Sequence, residues 1–111
     1  PPLRLADNAR RFDLSPGWLN WVALVPALEL LLDLGVDQIH RHNVGLANSL
    51  RRRLGLEDSN SAIVSLRLDP DFDDARLTGL HTAYRAGRLR AGFHLYNTEE
   101  DVNRLGQAVL G

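Results

Sequence analysis

Cysteine, methionine and lysine are all missing from these 111 residues. Without cysteine there is no disulfide framework, no thiolate nucleophile and no cysteine cage for a metal, and a reducing cytoplasm suits such a chain. Without methionine there is no initiator residue, so the chain is expected to have been processed, trimmed or cut from something longer. Without lysine no side-chain amine is available to form a Schiff base, and all 13 basic residues are arginine. An excess of charge is lacking too. The 13 basic residues face 14 acidic ones for a net charge of -1, so no global field draws the chain to nucleic acid or anionic lipid, and any basic site has to be local. Long apolar runs are also absent: the longest, from Trp21 to Leu32, contains Pro26 and Glu29 and is too short to cross a bilayer, and no signal-peptide pattern precedes it. Neither nucleic acid nor a membrane is an expected partner.

What is present suits one globular domain, with 44% hydrophobic and 24% charged residues and too little chain for a second core. Residues 1–17 carry no sustained apolar period and read as an entry segment from a domain not in this chain; residues 18–111 read as the domain itself. From Trp18 to Leu34, apolar residues Leu24, Val25, Leu28, Leu31 and Leu32 recur at helical spacing, with Pro26 predicting a kink and Gly35 a stop. This helix is expected to be largely buried. A second helix is predicted over 36–54, with Ile39, Leu46, Leu50 and Leu54 as its apolar stripe and Arg51, Arg52 and Arg53 at the negative end of its dipole.

Period-two alternation predicts a half-buried strand over 62–68, with Ala62, Val64, Leu66 and Leu68 on its inner side. An acidic turn then feeds a short helix, roughly 73–81, and a short strand is expected at 84–86. The clearest strand runs over 88–95, where Leu89, Ala91, Phe93 and Leu95 face the core while Arg88, Arg90, Gly92 and His94 face away. Thr98, with Asp101 three residues on, makes a variant capping box for a last helix that buries Val102, Leu105 and Val109. The order predicts an α+β fold: a small, mostly antiparallel three-stranded sheet covered by helices, with a long kinked helix at the N-terminal side.

Five local patterns invite functional readings, and the first two fail on spacing. His40 and His42 lie two apart on a helix and point to different faces, so they complete no metal site. Asp69, Asp71 and Asp73 imitate the start of a calcium loop, but Asp74 stands where glycine is needed and Leu80 where glutamate is needed. Arg51 to Arg53 reads as a capped, solvated helix end, without the interleaved aromatics or net positive charge of a nucleic-acid site. Trp18 and Trp21 pack either on a neighbouring domain or subunit or in the core. The fifth is the polar side of the 88–95 strand. Arg88, Arg90 and His94 would border a site in which an arginine fork pairs with a carboxylate; a solvated outer sheet face has the same pattern.

The run from Arg88 to Val102, RLRAGFHLYNTEEDV, resembles the C-terminal signature of class V, fold type I pyridoxal-phosphate enzymes: aminotransferases, cysteine desulfurases, kynureninase and isopenicillin N epimerase-like proteins. There a strand with an arginine leads into Tyr-Asn-Thr and an acidic helix start, as Tyr96, Asn97, Thr98 and Glu99 do here. The resemblance implies that Arg90 binds the α-carboxylate of an amino-acid substrate, with Arg88 and His94 lining the same face. Arg11, Phe12 and Asp13, then Ser15 and Pro16, resemble the family's entry to its small domain, which implies that Ser15 reaches the cofactor phosphate of a neighbouring subunit; the spacing departs by about one residue from the Gly-Thr-Pro form of desulfurases. The likeness extends through the leucine-rich helix and Leu34-Gly35-Val36 and covers most of the chain.

What it implies is the C-terminal domain of a homodimeric, cytoplasmic pyridoxal-phosphate enzyme, most simply a transaminase, or a related epimerase or lyase. The lysine-bearing domain is its missing partner. This chain is expected to hold no catalytic residue, no metal and no cofactor by itself, and to be inactive alone. Residues 80–87, LHTAYRAG, hold no cysteine, which speaks against a desulfurase. The rival reading is a free-standing, non-catalytic α+β module that binds a small carboxylate or a protein partner.

Overall fold

The computed structural model describes residues 4, 6–12 and 17–111. Its internal contacts divide it into two units, Pro1–Leu34 and Gly35–Gly111. In the first unit a 3-10 turn, Ala9–Phe12, is followed by helix α1, Trp18–Leu34, which continues through Pro26. Its bounds are those expected from its apolar spacing, but the expected burial is not found. Leu31 is half-buried, Leu24, Val25, Leu28 and Leu32 are exposed, and no residue of α1 is buried. The spacing sets the helix, whereas burial also needs an apolar surface to meet it, and none covers α1 among the described residues.

The second unit is α+β. Its elements are α2 (Val36–Arg53), β1 (Ile63–Leu66), β2 (Ala83–Arg85), β3 (Arg88–Gly92) and α3 (Glu99–Leu110). The sheet order is β1-β3-β2, with both pairings antiparallel, so β3 is central and bonded on both edges. The pairing sets Leu66 opposite Leu89 and Val64 opposite Ala91, and these four residues form the inner face on which α2 and α3 pack. Leu46, Ala47 and Leu50 from α2, and Val102 and Leu105 from α3, complete the core with Leu77 and Phe93. Leu50, Val64, Leu89 and Val102 are the largest fully buried side chains, each contributing about 1.5–3 kcal/mol of hydrophobic stabilisation.

The strand expected over 62–68 pairs only over Ile63–Leu66, and two further expected elements are shorter than the sequence pattern. The helix expected over 73–81 is a single 3-10 turn, Asp74–Leu77, whose cap Asp73 accepts the Ala75 N–H at 2.9 Å. Only Leu77 of that turn is buried, which is too little apolar contact to propagate a helix. The strand expected over 88–95 ends its ladder at Gly92; one more bond, from the Phe93 N–H to the Ala62 carbonyl at 3.0 Å, precedes the turn into α3.

β2 and β3 are joined by the two residues Ala86 and Gly87, both with positive φ, 50° and 69°. Two consecutive positive φ angles match the right-handed twist of a tight hairpin, at a steric cost for alanine that glycine avoids.

Candidate functional site

Alternation on a central strand fixes which way each β3 side chain faces. Leu89 and Ala91 are buried, so Arg88, Arg90 and Gly92 face the opposite side of the sheet. The pairing adds Ile63 and Ser65 from β1 and Ala83 and Arg85 from β2 to that side. Three arginines therefore share one sheet face with no acidic residue among its strand positions.

The residues around this face are mostly committed to holding the fold. Arg88 donates from Nε to Ser65 Oγ at 3.0 Å and from Nη2 to the Ser65 carbonyl at 3.1 Å. Asn97 closes the turn after β3: its Oδ1 accepts the His94 N–H at 2.8 Å and its Nδ2 donates to Asp101 at 3.2 Å. The Asp101 carboxylate also accepts the Thr98 N–H at 3.0 Å, as the capping-box spacing predicts. These two bonds, the backbone one the larger influence, hold its carboxyl below the usual value. The Asn97 carbonyl accepts from His42 Nε2 at 3.0 Å, and Glu99 accepts from Ser49 Oγ at 2.9 Å, tying the Tyr-Asn-Thr-Glu run to α2.

Arg85 and Arg90 are the exceptions, and of these two Arg90 is the one that is not exposed. It is half-buried, and among the described residues its guanidinium has no hydrogen-bond or ion-pair partner. The one ion pair found among those residues joins Arg52 to Asp58 elsewhere. A half-buried cation whose five donors meet no protein acceptor is suited to bind an anion, and its planar fork matches a carboxylate.

The other candidates are placed differently. His94 lies beyond the β3 ladder, where strand pairing no longer sets its direction, and its ring stacks on Tyr96 with centroids 5.1 Å apart. Ser15 lies outside the described residues. His40 Nε2 donates to Asn60 Oδ1 at 2.8 Å while His42 serves Asn97, so the two histidines do part company.

Arg51 corrects the expectation of a solvated helix end. It is buried, donating to Asn48 Oδ1 at 2.8 Å, to the Ser61 carbonyl at 2.9 Å and to the Ile63 carbonyl at 2.7 Å. Arg52 and Arg53 are exposed, as expected.

Sequence reasoning also missed a hollow of about 280 Å3 beside this face, between the 79–82 loop and the β3–α3 turn. Gly92, Tyr96 and Leu105 line it, and His81, Asp101 and Arg104 bring polar groups to it. It adjoins Gly92, two positions along β3 from Arg90, but Arg90 is not in its wall. Only pairing across the hairpin brings His81 near Gly92, a proximity that no linear spacing announces. No family model, no curated protein and no solved structure matches this chain.

Proposed function

We propose that this chain is the C-terminal small domain of a class V, fold type I pyridoxal-phosphate enzyme acting on an amino acid, and that Arg90 anchors the substrate's α-carboxylate. The observation that carries the reading is the half-buried Arg90 guanidinium, the one charged group of the signature strand and turn with no described partner in the protein. Support also comes from the run Tyr96, Asn97, Thr98 and Glu99, in which Asn97, Thr98 and Glu99 bond to hold the turn and α3 against α2 and leave recognition to the strand.

The residues of this chain do not fit the cofactor itself. No lysine is present to hold it covalently, so no step of the chemistry is assigned here. The domain's work is positioning. A bidentate pair fixes both the place and the rotation of a carboxylate, which limits how the substrate's α-carbon lies against a catalyst supplied elsewhere. Homodimeric assembly and a cytoplasmic setting belong to the same reading.

The test uses the full-length gene product that carries this chain. Absorbance and borohydride reduction are expected to reveal a cofactor bound to a lysine outside these residues, and Arg90→Ala is expected to lower kcat/KM for amino acids roughly tenfold to a hundredfold, from about 1.5–3 kcal/mol of charge-assisted bonding. Unchanged kcat/KM in Arg90→Ala would remove the anchoring role. Absence of any cofactor would favour the carboxylate-binding module, for which the same unpaired arginine is the supporting observation.

A further inference from the structure

Arg90 is not alone on its face, and the placement of its neighbours narrows what it binds. Ser65 sits directly opposite Arg90 in the β1–β3 register, yet it is Arg88 that bonds Ser65, through both its hydroxyl and its carbonyl. Arg88 therefore reaches diagonally across β1, and its guanidinium is held next to the Arg90 position instead of swinging free. On the other edge Arg85 pairs directly with Arg88.

Like charges directly opposite in a sheet are destabilising. Here two arginines oppose each other and a third lies two residues along, with no acidic residue at the strand positions of this face and no ion pair to any of the three among the described residues. The hydrogen bonds to Ser65 use two of the five N–H groups of Arg88 and leave the rest available. Two residues of strand separate the Arg88 and Arg90 stems by about 6.6 Å, a gap that two extended forks close around a short diacid.

We infer that this face recognises a ligand with two acidic groups, specifically an amino acid of aspartate or glutamate size, with Arg90 taking the α-carboxylate and Arg88, backed by Arg85, taking the side-chain acid. Charge complementarity decides the occupant: one carboxylate leaves two of the three arginine charges uncompensated, and a second acidic group on the same small molecule lowers that to one without an additional partner. The α-carboxylate assignment rests on the proposed function; the preference for a diacid does not.

Those two parts are separated by measuring binding to the 111-residue chain without any reaction. Succinate and propionate are titrated at low salt into isotopically labelled protein, with NMR shifts of residues 63–65 and 83–92 as the readout. Succinate is expected to bind at least tenfold more tightly than propionate, Arg88→Ala to bring succinate down to the level of propionate, and Arg90→Ala to weaken both. In the full-length protein, Arg88→Ala is expected to lower kcat/KM for aspartate or glutamate at least tenfold more than it lowers that for alanine. Equal affinity for succinate and propionate, or an Arg88→Ala protein that still favours succinate, overturns the inference. A glutamate-rich peptide that binds a hundredfold more tightly than succinate also overturns it, by assigning the face to an acidic protein. A diacid preference in the chain together with unchanged amino-acid kinetics in Arg90→Ala would remove the α-carboxylate role of Arg90 and leave the diacid preference standing.

Discussion

Three consecutive arginines close α2, and they have three different fates. Arg52 pairs with Asp58 at 2.9 Å in the open, Arg53 reaches Asn103 on α3, and Arg51 is buried under the loop that leads into β1. Arg51 has no carboxylate partner; three oxygen acceptors satisfy it, two of them the part-buried carbonyls of Ser61 and Ile63. Removing the guanidinium takes a donor from each, and only the Ile63 carbonyl keeps another, the Ser61 hydroxyl at 3.3 Å, so Arg51→Ala is expected to cost about 1–3 kcal/mol in urea unfolding, with Arg51→Lys recovering part of it. The burial was legible in principle, since Arg51 lies four residues after Ala47 and three before Leu54, on the phase of the apolar stripe. A run of like charges hid that phase. Asp101 carries a pH dependence instead. Its folded pKa is lowered first by the Thr98 N–H and then by the Asn97 amide, so its stabilisation is present above the ordinary carboxylate range and is lost as pH falls through the depressed value. Unfolding free energy measured below about pH 4 is expected to fall less steeply in Asp101→Asn than in the wild type.

Between elements, the closest approach is at Gly106, buried on the side of α3 that meets α2. A Cβ added there would come within 2.5 Å of Arg53 Cδ and 2.6 Å of its Nε, so the helix carries glycine where alanine would suit it better by about 1 kcal/mol. A double-mutant cycle separates the two effects: Gly106→Ala is expected to stabilise by about 1 kcal/mol in an Arg53→Ala background and by clearly less when Arg53 is present. Helix bounds were readable where apolar spacing ran long, in α1 and α2, and the start of α3 was readable in its capping box. The 3-10 turn at 74–77 was not, because an acidic start and a few apolar residues look the same whether one turn or three follow. Strand β3 was readable in its alternation but not in its end, since the ladder stops where β1 has no further residues to pair and Asn97 has already begun to close the turn.

Among the described residues, the core draws only on those from Leu46 onward, so the core found there belongs to one of the two units. Residues 35–111 expressed alone are expected to unfold cooperatively with the same thermal midpoint as residues 1–111, measured by circular dichroism. Helix α1 is apolar around most of its circumference with no buried residue, and helices of that composition are covered in stable proteins. Sedimentation of the 111-residue chain is accordingly expected to show self-association that residues 35–111 lack. The α+β class and the three antiparallel strands were legible from period alone, and the arginine face followed from the alternation in β3. What was hidden was who bonds whom on that face, because the diagonal from Arg88 to Ser65 depends on register, and register is a property of two strands and not of one. The same dependence gives the central strand an arithmetic of its own. Leu89 and Ala91 are locked inward, so one extra residue between them and the hairpin turn leaves Arg90 outward only by breaking the β2 register, whereas one extra residue between Leu89 and Arg90 would turn the guanidinium into the core. Between Leu89 and Arg90, insertions of even length keep recognition on its side of the sheet and odd ones turn it inward, so at that point the anchor tolerates changes in length by parity more than by size.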